Sequence, residues 1–91
     1  MKREEVYKAI DTERDYQDGI WNEHTTASNG IHSPEEWFVY IEDYVNQAKH
    51  LLSRNSVKDS YPESLEIMRK VAAMAVCAME QHGVNNRVIT K

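Results

Sequence analysis

Ile67-Met68-Arg69-Lys70-Val71-Ala72-Ala73-Met74-Ala75-Val76-Cys77-Ala78-Met79 is the stretch that decides the fold. At 100° per residue its polar flankers Glu66, Arg69, Lys70 and Glu80 gather on one side, and more than half of the circumference is apolar. A helix with so wide an apolar face is a central one, packed by its neighbours on more than one side. Pro62 suits the start of that helix, with Asp59 or Ser60 able to cap it. Gly83 suits its end, as a C′ residue in the left-handed conformation. The spacing therefore predicts a helix over about 62–82. Two apolar strips lie side by side on it, Ile67, Val71, Met74 and Ala78 next to Leu65, Met68, Ala72, Val76 and Met79. One strip suffices for the chain's own core, so the second predicts a homo-oligomer. The unbroken apolar run Val71–Met79 is far shorter than the ~20 residues that span a bilayer.

Upstream, Ser33-Pro34-Glu35-Glu36 is the clearest start signal in the chain. Ser33 is the N-cap, Pro34 occupies the first helical position, and Glu36 completes a capping box with Ser33. Trp37, Ile41, Tyr44, Ala48, Leu51 and Leu52 then form one stripe, which predicts a helix over 34–53. A first helix is expected over 2–21, with Val6, Ile10, Ile20 and Trp21 on its apolar side. Polar loops, Asn22–Gly30 and Arg54–Ser60, separate the three, and 84–91 is expected to be a flexible tail. The fold class is all-α, a three-helix bundle forming a single domain over 1–91.

Ninety-one residues with only three Gly and two Pro favour long regular elements. A chain this short buries only ~60–65% of its unfolded surface, a second reason to expect oligomerisation. The formal charge of −4 argues against a broad basic face for duplex DNA or anionic lipid. One cysteine, Cys77, cannot form an internal disulfide, and Met1-Lys2-Arg3-Glu4-Glu5 lacks the apolar core of a signal peptide. The expectation is a soluble, cytoplasmic protein with no membrane partner.

Two anomalies bear on function. Glu13 and Gln17 fall in the middle of the first helix's apolar stripe, with Arg14 at its edge. A carboxylate placed there must be paired, bound to something or lining a cavity. Arg69 and Lys70 break the apolar run of the third helix. Either Glu13 pairs with Arg69 or Lys70 as a structural ion pair, or these groups line a polar pocket.

The string Asp11-Thr12-Glu13-Arg14-Asp15-Tyr16-Gln17, then Trp21, Trp37, Tyr40-Ile41-Glu42-Asp43-Tyr44 and Ala48, resembles a family of short phage and prophage proteins. That family is distantly similar to the all-α MazG-type nucleoside triphosphate pyrophosphohydrolases. Arg69-Lys70-Val71-Ala72-Ala73-Met74-Ala75-Val76, Met79-Glu80-Gln81-His82-Gly83 and Arg87 share the look of the phage group. If phage-encoded, the protein would act in the host cytoplasm. The active enzymes need an EExxE motif on one helix and ExxD on the next, all holding Mg²⁺. Here Glu35 pairs by face with Glu42, and Glu36 with Asp43, at ~10.5 Å, too far to share one ion. Where the second acidic motif would stand, Glu66 is followed by Arg69 and Lys70.

Two cations in the place of a metal site point to direct contact with phosphate, Arg as a fork and Lys as a point charge. Tyrosines such as Tyr16 and Tyr40 at stripe edges can stack on a base. The expected function is non-catalytic binding, with sequestration as the expected role, of a nucleotide or nucleotide-like phosphate. Its expected site is Glu13, Arg14, Tyr16, Gln17, Tyr40, Arg69, Lys70 and Arg87, with no cofactor. One alternative is a Mg²⁺-dependent hydrolase using Glu13, Glu42, Asp43 and Glu66. Another is an interaction module that blocks a host target. No HExxH motif or His/Cys cluster speaks for zinc.

Overall fold

The computed structural model describes residues 1–21, 30–54 and 59–89, and among these the regular structure is entirely helical. Helix α1 spans Arg3–Ile20, α2 Pro34–Arg54 and α3 Tyr61–His82. The first loop (22–29), part of the second (55–58) and the end of the tail (90–91) lie outside the described residues. Residues 83–89 follow α3 without helix. Among the described residues, no helix is long and apolar enough to cross a membrane.

Helix α2 starts as its sequence predicts. The Glu36 amide donates to Ser33 Oγ at 3.2 Å, and the Ser33 amide donates to Glu36 Oε1 at 3.0 Å. Its expected stripe turns inward: Trp37 is buried, and Ile41, Tyr44, Ala48, Leu51 and Leu52 are half-buried. The ends of α3 depart from expectation. Ser60 sits at the N-cap but makes no capping bond, its backbone being helical at φ −89° and ψ −7° where a cap is extended, and its hydroxyl donates across to the Leu51 carbonyl at 3.4 Å. Gly83 has the expected positive φ of 84° but an extended ψ of 162°, so it leaves the helix without a left-handed turn. Its N–H closes on the Met79 carbonyl at 2.7 Å.

Helix α3 is central. Both α1 and α2 pack on it, and among the described residues the two do not pack on each other. Helix α2 runs antiparallel to α3, since Trp37 meets Gln81, Tyr44 meets Lys70 and Leu51 meets Ser60. Between them lies the core of Trp37, Met74 and Cys77, against which Trp21, Ile41, Tyr44 and Ala78 pack.

Helix α1 turns toward α3 the face read from its sequence, with Glu13 and Gln17 buried at the centre and Ile10 and Trp21 half-buried. Val6 and Ile20 are about 40% exposed, whereas the buried residues of α1 are Glu13, Arg14 and Gln17. Ala9, Ile10 and Trp21 are half-buried, and charge-assisted hydrogen bonds add to their packing in holding α1 to α3. Adjacent side chains reach opposite ways, Glu13 to Arg69 and Arg14 to Glu80. Those partners stand about 16 Å apart along α3, so α1 straddles its middle. Buried Ala73 lies between them in the sequence.

Candidate functional site

The two anomalies of the sequence meet. Thr12, Glu13 and Tyr16 on α1 and Arg69 and Lys70 on α3 line one hollow of about 460 Å³. Arg69 Nε donates to Glu13 Oε1 at 2.9 Å, with the Glu13 side chain 8% exposed and that of Arg69 42% exposed. The carboxylate thus anchors one edge of the guanidinium. The two Nη groups have no partner among the described residues. Gln17, one turn beyond Glu13, is buried at 1% exposure, and its Nε2 donates to the Lys70 carbonyl at 3.3 Å. Its Oε1 is a buried acceptor without a partner among the described residues. Lys70 extends so that Nζ stands 5.0 Å from the centroid of the Tyr44 ring, a cation–π contact that orients the ammonium. Thr12 spends its hydroxyl proton on the Ala9 carbonyl at 2.7 Å, leaving the oxygen as an acceptor.

Three expected site residues stand elsewhere. Arg14 is bound by carboxylates on two of its nitrogens, Nε donating to Glu80 Oε1 at 2.8 Å and Nη2 to Asp18 Oδ1 at 2.6 Å, while Nη1 is buried without a partner among the described residues. The Glu80 hydrogen bond, with help from Asp18, outweighs burial and holds the guanidinium more firmly charged than usual. Arg87 lies exposed on the segment after α3. Tyr40 belongs to a second hollow of about 420 Å³, lined by Trp21, His32, Trp37, Tyr40, Asp43, Tyr44 and Met74.

Sequence reasoning did not foresee the residue that builds this second hollow. Gln81 Oε1 accepts from the Trp37 indole Nε1 at 2.8 Å and from the His32 amide at 3.2 Å. Its Nε2 donates to the Gly30 carbonyl at 2.8 Å. One amide therefore ties the entry of α2 and the largest core ring to the end of α3, and His82 Nε2 adds a bond to the His32 carbonyl at 2.7 Å. The signal was present: at 100° per residue Gln81 falls within 20° of buried Met74, a polar residue on the apolar arc. Gly30 makes the close approach possible. Its φ is +78°, and a Cβ there would stand 3.2 Å from Trp21 Cβ.

The carboxylates of the hydrolase alternative are spread over different surfaces. Glu13 pairs with Arg69, Asp43 lines the aromatic hollow, and Glu66 borders a groove with Glu63, Ile67, Arg69 and Lys70. Among the described residues, no three of His, Cys, Asp and Glu converge to hold a metal ion. Comparison with protein-family models, with curated proteins and with solved structures gives no match.

Proposed function

We propose that the protein binds a nucleotide or nucleotide-like phosphate without transforming it, at the hollow between α1 and α3. The observation that carries this reading is the paired cation: Arg69 is held by Glu13 through Nε, leaving both Nη groups to an anion, with Lys70 beside it. A guanidinium fixed along one edge loses little freedom on meeting phosphate, and its fork matches two oxygens. Each charge-assisted bond contributes ~1.5–3 kcal/mol, so about three near the upper end of that range are needed for micromolar affinity. Tyr16, 62% exposed at the rim, offers a face on which a base stacks. The resemblance to the phage group is compatible with a role in sequestering such a ligand.

The same proposal includes self-association. α1 and α2 cover two sides of α3, while Leu65 and Met68 are more than 60% exposed and Met79 is 41% exposed on a third. The radius of gyration is 15.0 Å, against about 12 Å for a compact chain of this length. A second copy laid on that strip would complete the burial of α3.

The test is a thermal-shift screen of nucleotides and inorganic pyrophosphate, with and without Mg²⁺. Saturable stabilisation that is lost in Lys70→Gln and weakened in Arg69→Lys is expected, since neither change orphans Glu13. Absence of stabilisation by every phosphate at millimolar concentration would overturn the reading. Mg²⁺-dependent release of pyrophosphate from a nucleoside triphosphate would replace it with the hydrolase.

A further inference from the structure

Beside the open strip of α3 lies an apolar groove that takes no part in the anion hollow. Pro34, Phe38 and Ile41 of α2 and Ala75 and Met79 of α3 line about 340 Å³, and Gly83 stands at its end. Met79 belongs to groove and strip alike, so the two form one continuous apolar face. Phe38 is 74% exposed at the lip, where it adds little to the chain's own core. At 100° per residue Glu42 and Glu35 fall within about 60° of Phe38 on its solvent side, and both are exposed. The rim beside Phe38 is therefore acidic.

The chain carries the complement of this groove. Residues 84–89 leave α3 without helix, and on them Val84, Val88 and Ile89 are 71%, 85% and 80% exposed. Laid extended, Val84 and Val88 share one face about 13 Å apart. The groove runs about 12 Å along α3 from Ala75 to Gly83, which matches that spacing. The one charged residue of 84–89 is Arg87, a cation suited to the acidic rim. The segment is poorly placed to fill its own groove. Gly83, at φ 84° and ψ 162°, carries the chain off the helix end, and Val84 already stands clear. Doubling back along α3 would spend a turn of about four residues and leave only Val88 and Ile89 to dock.

We infer that residues 84–89 are an arm that docks in the α2–α3 groove of a second copy, two copies exchanging arms about a two-fold axis. The inference rests on the self-association proposed above and names the contact that makes it. Because Gly83 both roots the arm and ends the groove, an axis passing near the two glycines sets each root beside the other copy's groove. Six extended residues, spanning about 20 Å, then reach the length of it. Exchange counts every contact twice. Together with the strip of Leu65 and Met68, it brings the buried area towards the ~1,200 Å² of a stable interface.

The test is sedimentation velocity over a concentration series of the full chain, Val88→Asp, Phe38→Lys and an equimolar mixture of the two variants. Both positions are more than 70% exposed, so the helical circular dichroism should not change. Each variant alone is expected to associate at least about tenfold more weakly, since its homodimer buries a charge against an apolar surface at both arms. In the mixture one arm meets an unaltered groove, and the other sets the introduced carboxylate against the introduced ammonium. Association should therefore return towards that of the unmodified chain. Undiminished association of Val88→Asp would overturn the arm and leave the strip to carry self-association. Weakening in both variants without recovery on mixing would also overturn it, because arm and groove would not be meeting across two copies. A full chain that stays monomeric would remove the proposed self-association itself, and the arm exchange with it.

Discussion

Replacing Gln81 by Ala should cost this protein a large part of its stability. The side chain accepts from Trp37 Nε1 and from the His32 amide and donates to the Gly30 carbonyl. Trp37 is 2% exposed, and Gly30 is buried. After truncation the indole N–H and the Gly30 carbonyl are stranded where water scarcely reaches, at ~1–3 kcal/mol each. The His32 amide is partly solvated and adds less. Ala gains back only a few tenths of a kcal/mol in helix propensity. The expected loss is therefore about 2–4 kcal/mol, against a total near 5–14 kcal/mol for a domain of this length. Urea titration followed by tryptophan fluorescence at fixed protein concentration measures it, and the melting temperature should fall by at least ~8 °C. Gln81→Glu keeps an acceptor for both N–H donors but sets its second oxygen against the Gly30 carbonyl, so it should also destabilise. A loss under ~0.5 kcal/mol for Gln81→Ala would refute the reasoning and mean that Trp37 finds another acceptor.

Other perturbations follow from the same geometry. Arg69→Ala strands Glu13, whose side chain is 8% exposed; because Arg69 itself is partly solvated, the loss should be about 1–2 kcal/mol. Adding Glu13→Gln should recover part of it, and a double-mutant cycle in urea that shows no coupling would contradict the pairing. Met68→Glu places a charge on the open strip of α3, where Met68 is 62% exposed, and should dissociate an oligomer without unfolding the helices. Light scattering that finds the unmodified chain monomeric at micromolar concentration would remove the basis for self-association. The Ser33 amide and hydroxyl hold the Glu36 carboxyl below its ordinary value of 4.5. A depressed folded value means that this contribution is present above pH 4.5 and is lost as the pH falls below it. Glu36→Gln, which removes the titrating group, should flatten the acid limb of the stability curve in that window, and an unchanged limb would show that the capping box does not set it.

Much of the molecule was readable along the chain because helices are local. The 3.6-residue period of α2, its Ser33 cap and the wide apolar arc of α3 rest on neighbours within a few residues. The same logic singled out Glu13, Gln17, Arg69 and Lys70, since a polar side chain on an apolar arc violates a local pattern. What the period could not decide was which distant groups meet. Arg14 and Glu13 are adjacent on α1, yet Arg14 is consumed by Glu80 and Asp18 while Glu13 holds Arg69 over the polar hollow. Arg14 still keeps Nη1 buried without a partner among the described residues, and the division depends on how α1 straddles α3, a relation between residues more than fifty positions apart. The aromatic cluster likewise comes from distant residues, His32, Trp37 and Tyr40 packed edge to face with Trp21 tilted against Trp37, where the Gln81 amide ties Trp37 to the end of α3. The sequence by itself determined three helices, their order and their polar anomalies. Only the tertiary structure decided which charged partners hold α1, and that the anomalies and the aromatics form two separate hollows, because side-chain convergence is set by helix crossing and not by spacing along the chain.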